Sequence, residues 1–179
     1  LEGMQEREES TLQLREGEGL EAWLDQYGDQ LLRLCTLYLK DVHLAEDAVQ
    51  DTFLKAWRSR EQFRGESSAK TWLTRIAINV CKGYLRSPWK RRREPADIMD
   101  QLPAPAAGLR DDTLPKAIMR LSRPYREVIL LHYYQQLKAR EIAQLLHIPL
   151  STVTVRLSRA RQQLRDELKG WYYDEEAGF

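Results

Sequence analysis

From Leu20 onward, apolar residues recur every three or four positions, with no sustained alternation of period two and no Asn-Gly or Asp-Gly hairpin signal. This pattern predicts an all-α chain, with helices over 20–39, 43–59, 68–87, 112–121, 124–135, 138–147 and 151–169. Between the third and fourth of these, Pro88, Pro95, Pro103, Pro105 and Gly108 punctuate a stretch containing the run Pro-Ala-Pro-Ala-Ala-Gly. Such a composition cannot continue a helix and reads as a flexible linker over 88–111. Two small helical domains follow, at 20–87 and 112–170, with an acidic segment at 1–19 and a short tail at 171–179. Leu1-Glu2-Gly3 ahead of Met4 reads as a cloning remnant.

The end of the second domain carries the most specific pattern. Residues 138–168 predict a helix, a tight break at Ile148-Pro149, and a second helix capped by Ser151, the outline of a helix-turn-helix. In the first of the two helices, Ile142, Ala143 and Leu146 form a core face. In the second, Val153, Leu157, Ala160, Leu164 and Leu168 form an inward stripe. At about 100° per residue, Thr152, Arg156, Arg159 and Gln163 then share a face beside that stripe, where they can reach base edges and phosphates. Val155 flanks them and suits a thymine methyl. The bland alternative is a solvated polar face. Against it, residues 138–169 hold seven Lys or Arg and three acids, 7 − 3 = +4, a local excess suited to phosphates.

Two helices of the first domain are informative. In the earlier one, Ala45, Ala48, Val49, Thr52, Phe53, Ala56 and Trp57 predict a broad inward face. Asp47, Gln50, Asp51, Leu54 and Arg58 are left on the other side. A leucine stranded among charges suggests a protein-docking surface, although single exposed apolar residues are common. In the later helix, Leu73, Ile76, Ala77, Val80 and Tyr84 predict the buried side, opposite Trp72, Arg75, Asn79, Lys82 and Arg86. That second face runs into Trp89-Lys90-Arg91-Arg92-Arg93. Cations for phosphates and a flat ring for bases are what a nucleic-acid surface needs. Trp72 fits the core equally well.

The whole-chain balance, 28 basic against 27 acidic residues, hides a segmented charge. Residues 1–29 hold nine acids and two arginines, while 82–93 hold six cations and no acid. No apolar run approaches the roughly 20 residues of a membrane span, and no signal peptide is visible, so the reading is a cytoplasmic protein. Cys35 and Cys81 lie inside apolar helical patterns and read as packing residues. His43, His132 and His147 are scattered without ligand-like spacing, and Gly17 and Gly19 form only a GxG with no strand before it. No active site, metal site, cofactor or small-molecule substrate is predicted.

Taken together, these motifs resemble bacterial RNA polymerase sigma factors of the extracytoplasmic-function class, over nearly the whole span from Leu20 to Lys169. Asp47, Gln50, Asp51, Phe53, Lys55 and Trp57 match that family's D-x-x-Q-[ED]-x-F-x-[KR]-[AV]-[WF] helix. Phe63-Arg64-Gly65-Glu66 matches F-R-G-[ED]. Thr71-Trp72-Leu73, Arg75-Ile76-Ala77 and Asn79 match T-W-L-x-[RK]-I-A-x-N. Leu121, Arg126-Glu127-Val128 and Leu130-Leu131 match L-x-x-x-x-R-E-V-x-L-L, ahead of the helix-turn-helix.

The resemblance implies a specificity subunit rather than an enzyme. Asp47, Gln50, Asp51, Leu54 and Arg58 would dock on the clamp helices of the largest polymerase subunit, with the polymerase flap as a further contact. Phe63, Arg64, Trp72, Arg75, Asn79, Lys82 and Arg86 would bind and melt the −10 element. Ser151, Thr152, Thr154, Val155, Arg156, Arg159 and Gln163 would read the −35 element. The linker, with Glu94, Asp97, Asp100, Asp111 and Asp112 against Arg110, would thread the RNA path. An anti-sigma factor, often tethered to the membrane in this family, would hold the protein inactive. Departures from the pattern are His147, where the turn commonly has glycine, Gly83, where an acid is frequent, and Thr154-Val155 in place of Lys-Ser. The alternatives are a stand-alone helix-turn-helix regulator, which would bind duplex DNA tightly without polymerase, and a helical adaptor with no salt-dependent nucleic-acid binding.

Overall fold

The computed structural model describes residues 20–88 and 113–176, with side chains described as far as Lys169. The acidic segment 1–19 and nearly all of the expected linker, including the basic run after Trp89, lie outside the described residues. The chain divides into two compact units, with the division between Pro103 and Ala104. Among the described residues all regular structure is helical.

The first unit is a bundle of α1 (Leu20–Leu39), α2 (Val42–Ser59) and α3 (Ala69–Arg86), each packed on the other two. Asp41 opens α2, its carboxylate accepting from the Leu44 amide at 2.9 Å. Ser68 caps α3 in the same way, accepting from the Thr71 amide at 3.1 Å. A single 3₁₀ turn, Arg60–Gln62, leads from α2 into the loop before α3. In α1 every residue from Leu34 to Leu39 is buried, so its second half lies inside the bundle rather than along one side. Two of the threonine hydroxyls buried in the bundle return to the preceding turn: Thr36 donates to the Leu32 carbonyl and Thr52 to that of Ala48.

The expected core of α2 is buried, except that Trp57 is half-exposed. On α3 the inward face is wider than expected. Thr71, Thr74, Ile78 and Cys81 are buried along with Leu73, Ala77, Val80 and Tyr84, while Ile76 is only half-buried. The reason is that α3 packs on two helices at once, so its apolar stripe is broader than a single contact requires.

The second unit is built around α7 (Leu150–Glu176), against which α4 (Thr113–Arg120), α5 (Arg123–Ile129) and α6 (Ala139–Leu146) all pack. The expected helix over 124–135 ends as an α-helix at Ile129 and continues as a wider π-helical turn, Leu130–Tyr134. Six successive residues, Arg126–Leu131, are buried, more than one face of a regular helix presents. Two buried charges sit in that run, Arg126 and Glu127. The Arg126 guanidinium donates to the carbonyls of Met119 and Leu121 at 3.2 and 3.1 Å, tying the end of α4 to α5.

The turn of the helix-turn-helix explains one departure from the family pattern. His147 ends α6 with φ 55° and ψ 45°, the left-handed conformation that usually selects glycine. The Ile148 amide then reaches back to the Ala143 carbonyl at 3.1 Å. A β-carbon in this conformation costs about 1 kcal/mol, and the His147 side chain is exposed. Replacing His147→Gly should therefore raise the chemical-denaturation stability of the second domain by up to about 1 kcal/mol. Glu141 supports the other end of α6, accepting from the Lys138 amide at 2.7 Å.

The expected cap on the second helix is corrected. Ser151 lies inside α7, which starts at Leu150, and the Pro149 carbonyl accepts from the Val153 amide at 3.2 Å. Proline brings no amide that needs a partner, so the helix opens one residue earlier. At its other end the backbone of α7 continues to Glu176, seven residues beyond the expected end.

Candidate nucleic-acid interface

On α7 the inward stripe is as expected: Val153, Leu157, Ala160 and Leu164 are buried and Leu168 is half-buried. That burial aims the polar face outward. Ser151, Thr152, Val155, Arg156 and Arg159 line one open hollow of about 500 Å³ at the start of the helix. Val155 is 48% exposed and offers an apolar methyl pair between the cations. Thr154 is exposed but outside this group, and its hydroxyl donates back to the Leu150 carbonyl at 3.0 Å. Gln163 is exposed further along the helix. Three residues that the sequence did not single out complete the hollow: Ser122, Pro124 and Tyr125, from the start of α5. Only the packing of α5 on α7 brings them there.

In the first unit, α3 presents Arg75, Asn79 and Arg86 to solvent, with Lys82 half-exposed and Arg64 exposed on the preceding loop. Phe63 is a correction. It is 3% exposed, with its ring 5.0 Å from that of Trp72, so it belongs to the core and offers no face to a base. Trp72 is half-buried in the same cluster, 6.4 Å from Trp23, which in turn meets Trp57 edge-on at 5.7 Å. These rings close the end of the bundle beneath the 63–68 loop. Aromatic residues bury the most area per side chain, and a loop needs a floor to hold its shape. Their periodicity alone does not separate a base platform from a floor.

The outer side of α2 presents Asp47, Gln50, Leu54 and Arg58 as exposed residues, with Leu54 at 46%. Asp51 is half-buried. Its carboxylate accepts a 2.6 Å hydrogen bond from the Tyr84 hydroxyl on α3. Burial, and then that bond to a carboxylate, push the Tyr84 phenol well above its ordinary range, so it remains a donor. The acidic docking candidate on α2 is thus held in place by the helix that carries the cationic face.

A second open hollow, of about 440 Å³, is almost entirely apolar and lies between α4, the π turn and α7. Leu114, Ile118, Ile129, Tyr133, Leu164 and Leu168 line it, with Arg161, Arg165 and Lys169 at its edge. Sequence reasoning does not find it, because its walls come from α4, the end of α5, the π turn and α7. Among the described residues there is no cluster of three or more His, Cys, Asp or Glu able to hold a metal, and no helix long and apolar enough to cross a membrane.

Comparison with known proteins matches both units. Residues 23–91 fit the family model of Sigma-70 region 2, and residues 111–164 that of Sigma-70 region 4. The ECF RNA polymerase sigma factor SigW of Bacillus subtilis is 30% identical over 167 residues, 82% of this chain and 87% of the relative. The RNA polymerase sigma-H factor of Pseudomonas aeruginosa is 31% identical over 163 residues, 80% and 83% of the two chains. Among solved structures, the sigma factor RpoE in complex with the anti-sigma factor NepR from Bartonella quintana superposes with a TM-score of 0.65 at 28% identity, covering 83% of this chain and 98% of that one. With two regions matched in order and a helix-turn-helix at the expected place, the chain belongs to the extracytoplasmic-function RNA polymerase sigma factors, which are transcription initiation factors.

Proposed function

We propose that this sigma factor divides its work among three surfaces. The helix α7 enters the major groove of the −35 element with Ser151, Thr152, Val155, Arg156 and Arg159, while Thr154 and Gln163 flank the contact. The α3 face of Arg75, Asn79, Lys82 and Arg86, with Arg64 from the loop, binds and melts the −10 element, and Trp72 supports it from below. The outer side of α2, with Asp47, Gln50, Asp51, Leu54 and Arg58, docks on the clamp helices of the largest polymerase subunit. The observation that carries this reading is the convergence of cations, hydroxyls and an exposed valine on the first turns of α7, where a recognition helix meets base edges.

Each domain alone offers few phosphate contacts, so the free protein binds promoters weakly. Docking on polymerase places both domains at promoter spacing and turns two weak contacts into one strong one. The linker and its acids thread the RNA path. The apolar hollow beside α4 takes the polymerase flap, its apolar lining being suited to an apolar partner segment. In the cell the protein is cytoplasmic and is held inactive by an anti-sigma factor, a pairing supported by the complex of RpoE with NepR in Bartonella quintana. A membrane anchor on that partner belongs to the same proposal.

The test is transcription from a pool of bacterial promoter DNA by sigma-free core polymerase, with and without this protein. Discrete start sites that need the protein and share upstream elements are expected. No added starts, together with tight duplex binding by the protein alone, would indicate a stand-alone regulator instead.

Two substitutions separate the surfaces. Arg156→Ala should weaken −35 recognition by about 1 to 3 kcal/mol, as loss of a base contact does, and leave co-elution with core polymerase unchanged. Leu54→Ala should do the reverse, lowering affinity for core about tenfold through lost apolar burial without altering the promoter sequence preferred.

A further inference from the structure

The two cysteines of the first domain are both fully buried, as packing residues are. The fold does more than bury them. Cys35 is on α1 and Cys81 on α3, and the Cys81 thiol donates to the Cys35 sulfur across the helix contact at 3.6 Å. Residues 46 positions apart in sequence therefore meet sulfur to sulfur. A disulfide needs the two sulfurs about 2.05 Å apart, so an approach of roughly 1.5 Å between two packed helices would close it.

We infer that Cys35 and Cys81 form an oxidisable thiol pair, converted by a small peroxide into an intradomain disulfide that staples α1 to α3. The chemistry balances without another component. One thiolate attacks hydrogen peroxide, the O–O bond breaks and hydroxide leaves, giving a sulfenic acid. The second thiolate then attacks that sulfur and displaces hydroxide as the S–S bond forms. Two thiols lose two protons and two electrons, and peroxide takes them up as two waters.

In the closed bundle the reaction is slow. The shared hydrogen bond and burial hold the Cys35 thiol well above its ordinary range, so the reactive thiolate is scarce until the helices part. The structure supplies a weak point for that opening. Gly83 lies two residues after Cys81, three residues from the end of α3, and a methyl group placed there would meet no atom within 4 Å. Glycine inside a helix is about 1 kcal/mol less favourable than alanine, so α3 opens more readily from its end back toward Cys81.

Closing the bond should also reach the DNA-facing side. Asn79 and Lys82 flank Cys81 on α3, and drawing Cys81 toward α1 shifts them with it. The oxidised protein should bind core polymerase normally and form open promoter complexes more slowly. This consequence, unlike the disulfide itself, rests on the role proposed for α3.

The experiment treats the full-length protein with hydrogen peroxide under native conditions, follows intact mass, and then digests it for cross-linked peptides. The expected result is a monomer about 2 Da lighter, a peptide joining Cys35 to Cys81, and reversal by dithiothreitol. Gly83→Ala should slow the conversion about fivefold, the equivalent of its helix propensity. Oxygen adducts or intermolecular dimers without the joined peptide would overturn the site. A Gly83→Ala rate equal to that of the native chain would overturn the gating by α3, since its opening would then not limit the chemistry. Open-complex formation is measured separately, on oxidised and dithiothreitol-restored samples. Equal rates in both, with the joined peptide present, would overturn the consequence for promoter melting and leave the disulfide standing.

Discussion

Arg126→Ala should unfold a large share of the second domain while leaving the first folded. The guanidinium is 7% exposed and donates to two backbone carbonyls, those of Met119 and Leu121, at the corner where α4 turns into α5. Hydrogen bonds from a charged donor contribute about 1.5 to 3 kcal/mol each, so losing both costs about 3 kcal/mol or more. Native domains hold only roughly 0.05 to 0.15 kcal/mol per residue, which makes that loss comparable to the total stability of a unit this small. Two separated transitions by circular dichroism are expected in the variant, with the second-domain transition shifted strongly to lower denaturant. A single unshifted transition would show that the corner holds without the arginine.

Phe63→Ala should be the most damaging substitution in the first domain, at about 3 to 5 kcal/mol for removing a buried phenyl ring. Its ring meets Trp72, which meets Trp23, which meets Trp57, so the loss is felt along a connected floor. Phe63→Leu should recover most of that stability because it refills the space. The expected signature is a lower thermal midpoint, with promoter opening by the folded fraction close to normal. The opposite result, unchanged stability with defective opening, would restore Phe63 to the DNA face that the sequence motif implies. Trp fluorescence offers a direct reading, since the ring cluster should become more solvated in the alanine variant.

How far the fold is legible in the sequence can be judged from particular elements. Helix positions follow from apolar spacing to within a few residues, because each helix buries a stripe and the stripe is written in the sequence. The wider π turn after Ile129 does not follow, since the buried run begins with the charged pair Arg126-Glu127, and nothing in the pattern shows that both are buried until the packing around them is known. His147 is visible as a departure at a turn, and its positive φ supplies the physical content of that departure.

The candidate site is legible to the same depth. The outward residues of α7 and α2 can be named because burial of one face dictates exposure of the other. Phe63 and Trp72 cannot be assigned, because an aromatic residue beside a loop satisfies a base platform and a core floor equally well, and pattern carries no information on which neighbours are within reach. Asp51 reads as one more exposed acid on α2, yet Tyr84 arrives from α3 to hold it.

What the sequence determined by itself was the class of the chain, its division into two helical domains, and the faces of its helices, all properties of residues near one another along the chain. The tertiary structure alone decided which groups from different helices meet. It joined Ser122, Pro124 and Tyr125 to the hollow of α7, Tyr84 to Asp51, and Cys35 to Cys81. Periodicity fixes a direction about one helix axis, whereas such encounters depend on the distances and rotations between axes, which packing alone sets.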